Sequence, residues 1–248
     1  MTALVPLAIG LVALLYASVG HAGATGYIAV MTLLGVEPQV IRPTALALNV
    51  IVATIATVQF FRAGHFRAGL LWPLVAASVP AAAIGGAIEL PTTAFEMVVG
   101  VVLLASAAQL VRGAVRVEQE GVAAGGRREP TRLLLAALGG GIGLLSGLTG
   151  VGGGVFLTPA LMALDVAPVK QIAAITAPFI LFNSIAGLAG GAVRGGVAPH
   201  VSVAVIAAAV IGGAVGSQLG AFRLPTRVLR LLMAAVLAVA AAKMLGPG

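Results

Sequence analysis

Long apolar runs separated by short charged segments divide the chain into pieces of membrane-spanning length. Residues 1–36 carry no charged side chain, and the run from Leu133 to Leu164 is also uncharged. A straight transmembrane helix needs about 20 apolar residues, so both runs are longer than a single span. Both also contain glycine clusters, which weaken helices. Each run is therefore predicted to be one long tilted helix or two short helices broken at the glycines.

The remaining apolar runs have the length of single transmembrane helices. They occupy residues 43–61, 68–88 and 97–111 in the first part of the chain, and 171–193, 201–222 and a last span ending near Lys243 in the second part. The only extended polar stretch, residues 112–132, holds five arginines and three glutamates. We therefore predict an all-α polytopic membrane protein with a first membrane repeat at 1–116, a polar cytoplasmic linker at 117–131 and a second membrane repeat at 132–248.

Recurring spacings indicate that the second half repeats the first. Gly20 and Gly150 are 130 positions apart (150 − 20), as are Pro38 and Pro168 (168 − 38). Two later pairs have a separation of 134, namely Pro91 with Pro225 and Asn49 with Asn183. Each repeat is expected to contain a glycine-broken helix followed by three transmembrane helices.

The positions of basic residues favour inverted over parallel repeats. If each broken helix is a re-entrant hairpin, each half has three crossings and the halves are inverted. All lysines and arginines except Arg42, Arg194 and Lys243 then lie on one side of the membrane. Full crossing by the broken helices gives parallel halves and divides the basic residues more evenly. Because basic loops tend to stay on the cytoplasmic side, inversion is preferred.

Composition agrees with membrane embedding and accounts for the positive charge. The 248 residues are 60% hydrophobic and only 8% charged, whereas about a quarter of a typical soluble chain is charged. The net charge of +7 is explained by basic loops of a multi-pass protein in the cytoplasmic membrane, so nucleic acid is not expected as a partner. There are no cysteines, which excludes thiolate chemistry and cysteine metal sites, and no cofactor is predicted.

The stretch from Gly147 to Gly154 is the strongest candidate for a binding site, because five of its eight residues are glycine. Irregular backbone at membrane depth must be buried in protein or line a wet cavity. Two half-helices meeting there would present free amides and a partial positive charge to an anion. The alternative is close helix packing through small residues. The predicted substrate-binding residues are His21, Gly23, Thr25, Asn49, Thr149, Gly150, Gly152, Gly153, Gly154 and Asn183.

The polar residues within the spans have structural alternatives as well. Asn49 and Asn183 either reach the cavity or form interhelical hydrogen bonds. His21 either binds an anion when protonated, relays a proton, or is a neutral histidine bonded at a helix end. No carboxylate lies inside a span, so a carboxylate proton relay is not expected. The coupling ion, H⁺ or Na⁺, and a homo-oligomeric partner are left open by the sequence.

The glycine-rich stretch continues as Val155-Phe156-Leu157-Thr158-Pro159. This motif, with the two halves and the linker, resembles the sulfite exporter TauE/SafE family, also called the 4-toluene sulfonate uptake permease family. The resemblance covers nearly the whole chain. The first half departs from the pattern, since His21, Ala22 and Ala24 replace glycines and no proline follows near Ala29. The resemblance implies transport of sulfur-containing anions such as sulfite, sulfonates or sulfoacetate, without fixing a direction.

Three function classes are compatible with an intramembrane anion site. The first is a secondary transporter or facilitator of small sulfur-containing or organic anions that works by alternating access. The second is an anion channel lined by the glycine breaks. The third, an intramembrane enzyme, lacks a recognisable catalytic motif, and we do not expect it. The expected partners are a small anionic substrate and the lipid bilayer.

Overall fold

A computed structural model of the chain describes residues 4–18, 20–116, 130–164, 166–199 and 201–222, together with residues 238, 242 and 245. All regular structure in these segments is helical, which confirms the predicted all-α class. Most of the predicted linker and the predicted last span lie outside the described residues. The helices are α1 (Leu4–Ser18), α2 (Ala24–Leu33), α3 (Pro38–Arg62), α4 (Ala68–Ala87), α5 (Thr92–Arg116), α6 (Arg132–Thr149), α7 (Gly154–Ala163), α8 (Val169–Val193) and α9 (Val203–Phe222).

The helices fall into long and short classes. Within the described residues, α3, α4, α6 and α8 are long and apolar enough to cross a membrane. Since α3 and α8 have 25 residues each, they extend about 37 Å, which exceeds a hydrocarbon core of about 30 Å. By contrast α2 and α7 have 10 residues each and extend only about 15 Å. Each of these two helices is long enough to cross only about half of a bilayer.

Both glycine-broken runs fold back into helical hairpins. Gly26 in α2 packs against the side chains of Val12 and Tyr16 in α1. In one continuous helix Gly26 and Val12 would be about 21 Å apart. In the second run, a Cβ added at Gly153 would lie 2.9 Å from Ile142 Cγ2 in α6. The structure thus selects two short helices in each run and reverses the chain direction between them.

Helices α3 and α8 form the centre of the molecule and run antiparallel. The start of α3 lies beside the end of α8, since Leu46 packs against Gly187. The end of α3 lies beside the start of α8, where one apolar cluster joins Ala56, Phe60, Ala173, Ala174 and Ala177. Asn49 and Ser184 face each other close to the midpoint of both helices. This pair places polar groups at mid-depth of the predicted bilayer.

The first arm of each hairpin packs along a helix from the other half of the chain. In α6, Gly139, Gly143 and Gly147 lie directly against the backbone of Leu74, Ser78 and Ala82 in α4. In the same way Gly212 and Gly216 of α9 lie against the backbone of Gly10 and Leu14 in α1. Missing side chains allow such close approach of helix backbones. The two halves are therefore interlocked within one structure.

Candidate functional site

The break between α6 and α7 depends on glycine backbone geometry. Gly150 ends α6 with φ 78°, and Gly152 and Gly153 have φ 78° and 81°. These left-handed values strain residues that carry a Cβ. The Gly150 amide donates to the Ser146 carbonyl at 2.9 Å, which closes the last turn of α6. Three glycines within four residues thus turn the chain and bring α7 back beside α6.

Asn49 is held against this break by direct contact. Its side chain is fully buried, and its Nδ2 occupies the space that a Cβ at Gly152 would need. The same Nδ2 donates to Ser184 Oγ at 3.3 Å, while the Asn49 Oδ1 has no hydrogen-bond partner among the described residues. Buried amide oxygens without a partner are costly. A polar cluster of Asn49, Ser184 and Gly152 therefore lies at the centre of the α3–α8 pair, with unused hydrogen-bonding capacity.

The N-terminus of α7 adds hydrogen-bond donors to this cluster. Its N-cap residue, Gly153, offers no side-chain cap to the first-turn amides. The first intrahelical bonds come from Phe156 and Leu157 to the Gly153 carbonyl, at 3.1 Å each. Ser146, whose Cβ lies beside Gly153, is fully buried with its hydroxyl unpartnered. Uncapped amides at a helix start, together with buried hydroxyls, suit a small anion without a buried arginine.

Two predicted site residues use their polar groups locally. The Thr149 hydroxyl donates to the Leu145 carbonyl at 2.6 Å and accepts from the Val151 amide at 3.4 Å. Thr149 therefore stabilises the break, and its proton is already committed. Asn183 is fully buried, and its Nδ2 donates to the Phe179 carbonyl of its own helix at 2.8 Å, which leaves its Oδ1 unpartnered. Of the two asparagines, Asn49 rather than Asn183 forms the interhelical bond.

The first break is lined by an aromatic side chain. A Cβ added at Gly23 would lie 2.9 Å from the Tyr27 ring, and the Tyr27 hydroxyl donates to the Ala22 carbonyl at 2.7 Å. His21 is half-buried at this turn, where its amide donates to the Tyr16 carbonyl at 3.0 Å. Thr25 is also buried at this break. An aromatic ring thus fills space beside the first break, whereas Asn49 and Ser184 lie beside the second.

The outermost glycines of the two breaks contact different helices of the central pair. Gly20 packs against Ala173, near the start of α8, and Gly150 packs against Arg42, near the start of α3. Because α3 and α8 are antiparallel, these two contacts lie toward opposite ends of the pair. The second break reaches the middle of the pair through Gly152, and Gly154 packs against Ile180 and Thr176 of α8.

A cavity of about 570 Å³ opens at the end of the molecule where α3 begins and α4 and α8 end. Its charged and polar lining residues are Gln39, Arg42, Glu89 and Arg194. Leu46 and Gly187 also line it, one helical turn, or about 5 Å, from Asn49 and Ser184. None of the ten residues predicted to bind substrate lines this cavity. It is therefore a chamber separated from the polar cluster by one turn of the α3–α8 pair.

Arg42 connects the cavity with three parts of the structure. Its guanidinium donates to the Ile88 carbonyl at 2.9 Å and to the Gly86 carbonyl, which caps the end of α4. Its aliphatic stem lies against Gly150 at the second break. Cations near a helix C-terminus are favourable. Arg42 therefore stabilises the junction of α3, α4 and the second hairpin.

Sequence reasoning missed the pairing partners because they are distant in the chain. Ser184 is 135 positions from Asn49, and Ser146 lies in α6 as one serine among many small residues. The Arg42 contacts with α4 are 44 and 46 positions away. The repeat spacing relates α3 to α8 in the sequence. It does not show that Asn49 faces Ser184, because that contact depends on how the two antiparallel helices are aligned.

Two comparisons place these features among known proteins. The family model described as "Sulfite exporter TauE/SafE" matches residues 5–244. A protein of Sinorhizobium fredii (strain NBRC 101917 / NGR234), named "Probable membrane transporter protein y4hK", is 39% identical over 236 residues, covering 94% of each chain. No solved structure gives a significant match.

Proposed function

Because the chain belongs to the sulfite exporter TauE/SafE family of membrane transporters, we propose that it moves small sulfur-containing or organic anions by alternating access. Sulfite, sulfonates and sulfoacetate-like anions are the substrates in this proposal. The chain is a multi-pass membrane protein of a transporter family and not an enzyme. The cytoplasmic membrane is the proposed location, since the basic loops follow the distribution expected there.

The polar cluster at the second break is the observation that carries the proposal. It combines Gly152, the uncapped start of α7, and the buried side chains of Asn49 and Ser184. Donors of this kind suit an anion, and the cluster itself contains no carboxylate among the residues that the structure describes. We assign Gly150, Gly153 and Gly154 to shaping this site and Thr149 to holding its backbone. His21, Gly23, Thr25 and Asn183 are assigned to the same pathway, with His21 as a proton relay or as an anion contact when protonated.

Matching helix lengths support two inverted repeats, 1–116 and 132–248, joined by the linker 117–131. The pairs α2 with α7, α3 with α8 and α4 with α9 have 10, 25 and 20 residues respectively. Equivalent helices run antiparallel in inverted repeats and parallel in direct ones, and α3 and α8 are antiparallel. Inverted repeats are common in secondary transporters, where substrate binds at the repeat interface.

One closed and one open end favour a carrier over a channel. The cavity approaches the polar cluster from the end that carries Arg42. At the opposite end Phe60 packs among alanines of α8, so the α3–α8 seam is filled there. A channel would need a continuous polar path, whereas a carrier exposes its site to one side at a time. H⁺ or Na⁺ coupling and homo-oligomerisation remain part of this proposal.

The proposal is tested by counterflow in proteoliposomes that contain the purified protein. Radiolabelled sulfite uptake should saturate, and internal unlabelled sulfite should accelerate it. Methanesulfonate and sulfoacetate should compete, while an uncharged solute such as glycerol should not. Uptake that rises linearly with concentration and shows no acceleration would support the channel instead. Uptake equal to that of protein-free liposomes for all of these anions would contradict transport.

A further inference from the structure

The cavity beside Arg42 has the chemistry of an anion vestibule. It lies outside the polar cluster, ends one helical turn from it, and contains two arginines and one glutamate. The Arg42 guanidinium is half-buried at its wall. An arginine guanidinium carries five N–H donors, and the bonds to the Ile88 and Gly86 carbonyls engage one donor on each terminal nitrogen. Donors therefore remain for an oxyanion while Arg42 still caps α4.

At the opposite end of the α3–α8 pair, the position in α8 that is equivalent to Arg42 carries no charge. Arg42 is the fifth residue of α3, and the fifth residue of α8 is Ala173. Gly150 packs against Arg42, whereas Gly20 packs against Ala173. The two glycine breaks thus differ in the residue of the central helix that each outermost glycine contacts. That residue is an arginine at the second break and an alanine at the first.

From this arrangement we infer that the cavity is a one-sided docking site for a small oxyanion, with Arg42 as its principal ligand and Arg194 as a rim charge. The inference rests on the proposed function and adds an outer site to it. The anion docks on the unused guanidinium donors and then passes the Leu46–Gly187 constriction toward Asn49 and Ser184. Arginine suits this role because its planar donor fork matches oxyanions. Glu89 opposes anion entry and sets the strength of the site.

The first test replaces Arg42 and uses a second arginine of the same helix, Arg62, as the control. Initial rates of radiolabelled sulfite uptake by proteoliposomes give KM for Arg42→Gln and for Arg62→Gln. Arg62 is exposed at the other end of α3, so the net charge change is identical. Arg42→Gln should raise KM by at least about tenfold, as expected for a lost charge-assisted hydrogen bond. Arg62→Gln should leave KM within about twofold, because exposed charges contribute little.

A second variant keeps Arg42 and its bonds to α4 intact. Val197 is 54% exposed on the cavity wall, and Val197→Glu introduces a carboxylate there. KM should rise about threefold or more at low ionic strength, and added salt should reduce this effect by screening. Val203→Glu is the control, since Val203 is 83% exposed near the same end but does not line the cavity.

The outcomes separate this inference from the proposed function. Saturable uptake by the wild-type protein with unchanged KM in both Arg42→Gln and Val197→Glu overturns the vestibule and leaves the transporter proposal standing. Absence of saturable anion uptake by the wild-type protein overturns both. If Arg42→Gln does not fold, the salt-dependent KM of Val197→Glu decides the inference, and equal KM values for Val197→Glu and Val203→Glu overturn it.

Discussion

Thr149 and Asn49 are neighbours of the same glycine break with different roles. The Thr149 hydroxyl is engaged by Leu145 and Val151 of its own segment. Asn49 approaches from another helix and retains an unpartnered oxygen. Burial alone does not distinguish the two residues, since both are fully buried. Their hydrogen-bond partners do: Thr149 serves its own segment, and Asn49 keeps the free acceptor that the proposed anion site includes.

Replacing Thr149 by valine should therefore affect stability more than substrate affinity. The variant loses the bond to Leu145 and leaves the Val151 amide unpaired, which costs about 1–3 kcal/mol. A lower melting temperature in detergent with a wild-type KM for sulfite is the expected result. Thr149→Ser keeps the hydroxyl and serves as the control. A valine variant with a normal melting temperature and a greatly raised KM would contradict this role and indicate that Thr149 contacts the substrate.

At the scale of helices, the glycines of one run have two different structural roles. The glycines at positions 139, 143 and 147 recur every four residues and allow α6 to lie against the α4 backbone. The glycines from 150 to 153 leave helical geometry and form the turn. Sequence reasoning treated close packing and a binding-site break as alternatives, but the structure contains close packing and a helix break in succession. A regular four-residue spacing of glycines marks the packing surface, and closely spaced glycines mark the turn.

The close packing of α6 against α4 predicts different effects for substitutions at two nearby glycines. A Cβ at Gly143 would overlap the Ser78 carbonyl, whereas nothing lies within 4 Å of a Cβ at Gly141. Gly143→Val should therefore separate α4 from α6 and destabilise the protein by about 1–3 kcal/mol or more. Gly141→Val should be tolerated. Thermal unfolding of both purified variants measures the difference, and equal melting temperatures would argue against backbone contact between α4 and α6.

At the scale of the whole molecule, chain direction is the property that sequence patterns only partly revealed. Apolar length predicted the helices, and basic loops favoured inversion. Neither could establish that α2 returns beside α1 or that α3 and α8 are antiparallel, because both depend on contacts between distant segments. Asn49 and Asn183 suggested a symmetric pair at a separation of 134. In the structure Asn49 instead bonds Ser184, since helix pairing and repeat spacing are separate constraints.

Inverted repeats predict that two loops face opposite sides of the membrane. Ala63 follows α3, and Ala198 lies between α8 and α9. Because the natural chain has no cysteine, single variants Ala63→Cys and Ala198→Cys can be labelled cleanly. In intact cells an impermeant maleimide should label position 198, whereas position 63 should react only after permeabilisation. Labelling of both from the same side is the result that parallel repeats predict.

The central claim is that the second glycine break and Asn49 together bind the anion, and Gly152→Ala tests it most directly. A Cβ at Gly152 would displace the Asn49 amide and strain a backbone with φ 78°. Two variants serve as controls. Gly35→Ala places a Cβ on a positive-φ residue with open space around it, and Gly141→Ala adds a methyl group to a helix without a close contact. The measurement is the sulfite dissociation constant of each purified, folded protein by calorimetry. Binding should weaken by at least about tenfold in Gly152→Ala, as expected for lost hydrogen bonds to a charged ligand, and remain near wild type in both controls. Unchanged affinity in Gly152→Ala would contradict the account.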